Sequence, residues 1–302
     1  MSNTPSPEEI VAGFVRLLTV TGTAEYGFTG PPQPGGMGRV FGGQVIAQAL
    51  QAAQATSPTD MSAHSLHAYF LRGGAEGLDT HYEISRDLDG RSFANRRVVA
   101  RQEHATILTL TASFQREEDG LAHQDAPMPD VPPPEELTPD ADQRRAMVER
   151  AGERMSEAQR ALILRPRPLE MRTVGKLHWM NHEPSPPVAN SWFRTVASLP
   201  DDPALHRAVI AYASDYTLLG TAALPHGLSW MRGELTGASL DHAIWFHRPA
   251  RADEWLLYAT DSPWTGSGRG FNRGRIFDCA GNLVASVAQE GMMRKRVPKP
   301  AS

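Results

Sequence analysis

A single cysteine, Cys279, excludes an intrachain disulfide and any cysteine cluster able to hold zinc or an iron–sulfur centre. No apolar run approaches the roughly 18 residues of a membrane-spanning helix, so no membrane partner is expected. With 30 basic against 34 acidic residues the chain has no excess of positive charge, which argues against a nucleic-acid partner. The opening MSNTPSPEEI has neither a basic leader nor an apolar stretch of signal-peptide length, and the closing Pro300-Ala301-Ser302 matches no peroxisomal or retention address. A cytoplasmic location is therefore the expectation.

Several catalytic signatures are also missing. The G-x-S-x-G elbow of an α/β serine hydrolase does not occur, since Gly237-Ala238-Ser239-Leu240-Asp241 departs at its last position. His178 and His182 stand four apart in HWMNHEP, but the order is not H-E-x-x-H, Asn181 takes the place an inverted motif gives to Glu, and prolines follow closely. No metal is expected. Residues 266–270, GSGRG, miss the spacing of a phosphate-cradling loop and lead into a strand, so no bound cofactor is expected either.

What the chain does have is a repeat. Residues 64–115 carry HSLHAYFLR, GRSFANRR and TASFQ; residues 238–289 carry ASLDHAIWFHR, GRGFNRGR and ASVAQ in the same order, about 175 residues on. Ordered recurrence at that distance marks a duplicated unit of domain size, and 302 residues suffice for two cores. Apolar residues at helical spacing predict a short leading helix over 5–18 and a longer one from Gly42 through QVIAQALQAAQA. Alternating and β-branched runs from His64 to Gln115 predict four antiparallel strands. The second half repeats the order, with a helix from about Pro203 to Ala223 and strands near 238–247, 254–261, 268–278 and 283–293. Each half is thus an α+β unit in which a curled sheet wraps a helix. The acidic, proline-rich stretch 117–140 has linker composition, and 141–162 reads as a charged, mostly exposed helix. The expected division is an N-terminal unit over 1–118, linker and appended helix over 119–165, and a C-terminal unit over 166–302.

The helix of the second half contains the most suggestive residue. In HRAVIAYASDYTLLGTAA, Asp215 has Ala211 and Tyr212 one turn back and Leu218 and Leu219 one turn on. A carboxylate among such neighbours tends to have a raised pKa, as a general base near neutrality requires. An aspartate at a helix irregularity, or one facing a buried arginine, fits the same pattern. The repeat favours function: the first half has no Asp or Glu between Glu25 and Asp60, and its helix offers only Gln44 and Gln48 in the matching region. Packing needs both helices, yet only one bears the acid. Ser239 is a second candidate; the period-2 rule puts it on one strand face with Asp241, Ala243 and Trp245. Gln289, ending LVASVAQ, is a third. Ser65 and Gln115 repeat these two residues in the motifs, so structural roles for them stay open.

FGGQVIAQAL, HSLHAYFLRGG, YASDYTLLGTA, SLDHAIWFHRP, EWLLYATDSP, RGFNRGRIFD and LVASVAQEGMMR together resemble the type II acyl-CoA thioesterases, the TesB-like family, from about residue 10 to residue 296. The resemblance implies a double hotdog fold, in which each half is a long central helix wrapped by an antiparallel sheet. It also implies an active site of an Asp on the second helix, a Thr or Ser on the following strand and a Gln on the last strand. By motif these are Asp215, Ser239 and Gln289, with Ser239 where many relatives have Thr. The implied reaction is hydrolysis of a fatty acyl-CoA, a step of lipid metabolism, by a water that Asp215 deprotonates while Ser239 and Gln289 hold it. Backbone N–H groups near Gly43 are candidates for stabilising the oxyanion. Sheet edges and the resemblance together suggest a homo-oligomer.

Two rivals keep the fold and change the function. A non-catalytic acyl-CoA binder or sensor would be expected to lose Asp215 or Gln289, and both are present. A hydratase would want an Asp and a His close together at the start of a central helix, whereas His206 lies nine positions before Asp215. His242 and His247 read as packed, hydrogen-bonded strand residues.

Overall fold

The structure, a computed structural model, describes residues 5–296 apart from 34, 37, 178–182, 229 and 231. His178 and His182 lie outside the described residues. Helix α1 (Pro7–Leu18) starts at a reciprocal cap, in which Ser6 Oγ accepts from the Glu9 N–H while the Glu9 carboxylate accepts from the Ser6 N–H. Its apolar stripe of Val11, Phe14, Leu17 and Leu18 is buried. A small hairpin, β1 (Thr21–Ala24) and β2 (Gly27–Gly30), precedes the central helix α2 (Gly42–Gln54). Four antiparallel strands follow: β3 (Met61–Phe70), β4 (Thr80–Asp89), β5 (Phe93–Gln102) and β6 (Ala105–Arg116).

The second half has the same plan. Strands β7 (Leu169–Thr173) and β8 (Val188–Thr195) come before helix α5 (Pro203–Ser214) and the one-turn α6 (Leu218–Thr221). Then come β9 (Leu235–Ser239), β10 (Asp241–Phe246), β11 (Leu256–Gly266), β12 (Arg269–Asp278) and β13 (Leu283–Lys295). All pairings are antiparallel, in the order β1-β2-β4-β5-β6-β3-β10-β13-β12-β11-β8-β7, with β9 also on β13. The β3–β10 ladder, from Asp241 opposite Tyr69 to Trp245 opposite Ser65, joins the halves into one continuous sheet. The sheet curls around α2 and α5, whose inner residues share a single core with α1; burying a side chain such as Ile46 or Leu50 there stabilises the fold by roughly 1.5–3 kcal/mol.

The connecting segment differs from the expected linker in two ways. The single helix predicted over 141–162 is two, α3 (Asp140–Ala151) and α4 (Glu157–Leu164), because Gly152 takes a positive φ of 50° and breaks the ladder. The stretch before them is bonded to the second half rather than free: Trp192 Nε1 donates to Pro132 O, Arg172 Nη1 to Pro134 O, and Gln124 bonds both Gly281 and Leu283. Met128 and Val131 pack against Trp192, Leu257 and Phe277 on that unit's outer sheet face. Strands β7 and β8 escaped the sequence reading, although VANSWFRT does alternate.

Helices α2 and α5 are in close contact at Gly43, where an added Cβ would lie 2.5 Å from the Tyr212 carbonyl oxygen. Phe14 and Phe41 brace Tyr212 edge-on, with ring centroids 4.8 and 4.9 Å away. Gly43→Ala is therefore expected to push the helices apart and destabilise the protein by about 1–3 kcal/mol in urea unfolding. An unchanged midpoint would show that the helices have slack here.

Candidate active site

Asp215 stands where α5 stops. The helix predicted to run to Ala223 ends at Ser214, and Asp215 caps it with φ −88° and ψ −6°. The carbonyls freed by the break are satisfied from elsewhere: the Tyr258 hydroxyl donates to Ser214 O at 2.8 Å, and the Tyr216 N–H to Ala213 O at 3.0 Å. The helix irregularity left open by the sequence is thus real, and it aims the carboxylate across to the other half of the molecule.

The Asp215 side chain is only 5% exposed. Gln289 Nε2 donates to its Oδ1 at 2.6 Å, the Gly43 backbone N–H in the first turn of α2 also bonds it, and Ser239 Oγ lies 3.4 Å from Oδ1. Burial raises its pKa to about 6, against the lowering pull of these three donors. All three residues expected by motif therefore converge on one carboxylate. The Gly43 N–H serves that carboxylate, which corrects its expected use as an oxyanion donor.

Ser239 reaches the site by a route the period-2 rule does not predict. Ser239 faces Gly291 across the ladder whereas Ala243 faces Ala288, so four steps on one strand match three on β13. This is a β-bulge at Leu240–Asp241, and it turns Ser239 to the inner face, opposite to the face of Asp241 and Trp245. Asp241 Oδ1 accepts from the Glu290 N–H at the bulge, at 2.7 Å.

Gln289 is fully buried and its amide nitrogen also donates to His242 Nδ1 at 3.0 Å. In this state it grips the acid rather than solvent. His242, read from sequence as a packed strand residue, is fully buried beside the acid with Nε2 2.8 Å from Ser214 Oγ.

The carboxylate forms the floor of a cleft of about 460 Å³ between the two halves. Phe41, Val45, Phe70 and Ile107 from the first half and Leu219 from the second make its apolar wall, and exposed Arg39 and Arg72 stand on its rim. Neither repeat alone contains the site.

The strand registers also correct the pairing of the repeats. The local two-fold of the β3–β10 ladder passes the Ala243–His67 pair, so Ser65 corresponds to Asp241, not to Ser239. Counted through a matching bulge between Ala63 and Ser65, Ser239 corresponds to Ala63, and Gln289 to Ala112 rather than Gln115. In the first copy this space is filled by Arg96, fully buried, which donates to Thr56 O, Thr56 Oγ1 and Leu88 O and pairs with Asp89 at 2.6 Å. Gln44 and Gln48 are structural, holding the carbonyl of Pro31, with Gln48 also bonded to Leu17 and Tyr82.

Among the described residues no cluster of three His, Cys, Asp or Glu could hold a metal ion. The GSGRG segment is a hairpin turn with positive φ at Ser267 and Gly268, and Arg269 and Arg273 pair with Glu290 and Asp261.

Residues 166–292 match the family model for acyl-CoA thioesterase, and residues 31–115 that for the acyl-CoA thioesterase N-terminal domain. The chain is 36% identical to acyl-CoA thioesterase 2 of Haemophilus influenzae over 95% of its own length and 98% of that protein's. The chain belongs to the acyl-CoA thioesterase family. Human acyl-coenzyme A thioesterase 8 is 37% identical to this thioesterase-family chain over 85% of its length and 81% of the human protein. Among solved structures, the acyl-CoA thioesterase II TesB2 of Mycobacterium marinum is 37% identical and superposes with a TM-score of 0.75, covering 93% of this chain and 98% of that one. A hotdog-fold protein of Alicyclobacillus acidocaldarius, 18% identical with a TM-score of 0.73, shares the architecture. The fold is that of the hotdog thioesterases, an α+β double hotdog.

A folded-state carboxyl pKa near 6, against an ordinary 3.8, corresponds to roughly 3 kcal/mol of destabilisation once both states are ionised. The folded state holds the proton more tightly, so this loss should accrue as pH rises from about 4 to about 6. Asp215→Asn removes it. In thermal unfolding, the parent should lose stability relative to Asp215→Asn across that window and show no further relative change above pH 7. A constant difference from pH 4 to 8 would contradict the raised pKa.

Proposed function

We propose that this protein hydrolyses fatty acyl-CoA to free fatty acid and CoA, with Asp215 as general base toward water. The reading is carried by one observation: a nearly dry carboxylate, held by Gln289 and within reach of the Ser239 hydroxyl, at the floor of an apolar cleft. The cleft wall suits an acyl chain. On the rim, Arg39 and Arg72 have no carboxylate partner among the described residues, which suits the phosphates of CoA.

A thioester carbonyl is reactive enough for direct attack, so no covalent nucleophile is needed. The Ser239–Asp215 separation of 3.4 Å is long for a bond between a hydroxyl and a carboxylate, and Ser239 lines the cleft. The hydroxyl therefore holds the water beside Oδ1, while Gln289 holds the carboxylate. Water oxygen bonds to the thioester carbon as its proton passes to Asp215. The tetrahedral intermediate then expels the CoA sulfur, which takes that proton back, leaving the acid and restoring the base. The cytoplasm is the location in keeping with this reading. Exposed Tyr69 and Trp245 on the outer face of the β3–β10 ladder support a homo-oligomer.

Asp215→Asn should lower kcat by at least about 100-fold in a thiol-release assay while leaving the fold intact. Because the base must be ionised, kcat/KM of the parent should rise with pH through about 6, the raised pKa of the carboxyl. Full activity of the folded variant would overturn the assignment. Replacing Arg39 and Arg72 by Ala should raise KM for acyl-CoA about tenfold and leave KM for the phosphate-free acyl-N-acetylcysteamine thioester unchanged. Equal effects on both substrates would remove the phosphate role.

A further inference from the structure

The amide of Gln289 can present either its nitrogen or its oxygen to Asp215, and only one choice supports a carboxylate. Its neighbours make that choice. Ser214 Oγ donates its one proton to Ala211 O at 2.9 Å, so the 2.8 Å contact with His242 Nε2 requires that nitrogen to carry the hydrogen. Nδ1 is then a bare acceptor, 3.0 Å from the Gln289 amide nitrogen. The same nitrogen is 2.6 Å from Asp215 Oδ1. Turned the other way, the amide would set its oxygen against two acceptors at once.

The oxygen end has no such anchor: among the described residues Gln289 Oε1 is buried without a partner. The hydrogen bonds of this amide to Asp215 and His242 are both made by its nitrogen end. The repeat supplies an internal comparison. The strand position of His242 corresponds to Leu66 and that of Gln289 to Ala112, so the copy without the acid lacks both members of the pair.

We infer that His242 is a positioning residue for the reaction: as a neutral imidazole with its hydrogen on Nε2, it fixes the Gln289 amide with its N–H groups toward Asp215 and so keeps that carboxylate available as a base. The inference rests on the general-base reading of Asp215. Burial holds His242 neutral, with its pKa lowered to about 3. Tyr212 and Tyr258 are the other titratable groups against the Asp215 carboxyl; burial pushes both well above their ordinary range, so they stay neutral while Asp215 titrates.

The test compares full pH profiles of kcat and KM for acyl-CoA hydrolysis in four variants. His242→Phe fills the ring's volume without an acceptor. It should move the acid limb of kcat/KM up by one pH unit or more and cut kcat at pH 7 at least tenfold, with KM within threefold. His242→Asn, which can place an amide oxygen near the site of Nδ1, should bring the limb back toward the parent's position. Ser214→Ala frees the imidazole to carry its hydrogen on Nδ1 and should move the limb the same way as Phe by a smaller amount; it also serves should the Phe variant fold poorly. Asp215→Asn separates the two readings. If it is inactive while His242→Phe and Ser214→Ala keep the parent's limb, the positioning role alone is overturned. If Asp215→Asn is fully active, the base assignment falls and the inference with it.

Discussion

The site depends on a carboxylate kept nearly dry at the seam between two repeats. Asp215 belongs to the second half by sequence, yet it is bonded by the first turn of a helix from the first half and stands on the floor of a cleft walled mainly by that half. Desolvation raises its proton affinity, while three donors keep the rise from making the acid permanently neutral. Weaker burial would yield an ordinary surface aspartate; fewer donors, a protonated one. Near neutrality the balance leaves an ionised group that gains by accepting a proton, which is the property a base needs.

The arrangement explains why a duplicated fold works with one site. The pseudo-two-fold at the β3–β10 ladder generates a second location with the same backbone, but there Ala63, Leu66 and Ala112 stand where Ser239, His242 and Gln289 stand in the second copy. Arg96 fills the space with a guanidinium tied to the end of α2 at Thr56 and to Asp89 on the neighbouring strand. One copy has become architecture, and the other bears the buried acid.

Much of this was legible in the residues. The repeat, the two central helices and most strands follow from motif order and periodicity, the confinement of the acid to one copy singles out Asp215, and the grouping of Asp215 with Ser239 and Gln289 is what the family resemblance implies. The missing parts share a cause: they depend on contacts distant in sequence. The end of α5 at Ser214 relies on a hydroxyl from Tyr258, 44 positions along the chain. Ser239 faces inward because of one extra residue relative to β13, and strand periodicity contains no sign of it. Aligning short motifs matched Ser239 to Ser65 and Gln289 to Gln115, because matching letters ignores where bulges and hairpins take up residues. His242 reads from sequence as a packed, hydrogen-bonded strand residue, and it is one; its contacts with Ser214 and Gln289 are what put it beside the acid, and they too are distant in sequence.

The central claim is that Asp215 acts on water and does not itself attack the thioester. A single turnover in oxygen-18 water, with enzyme in excess over acyl-CoA and the protein quenched and weighed by mass spectrometry along the time course, distinguishes the two: the account predicts no change in protein mass. Attack by a water that Asp215 deprotonates places one solvent oxygen in the fatty acid released in that first turnover. A transient protein species heavier by one acyl group, or fatty acid carrying only oxygen-16 with the label in the Asp215 carboxyl, would mean an acyl-enzyme anhydride and would contradict the account.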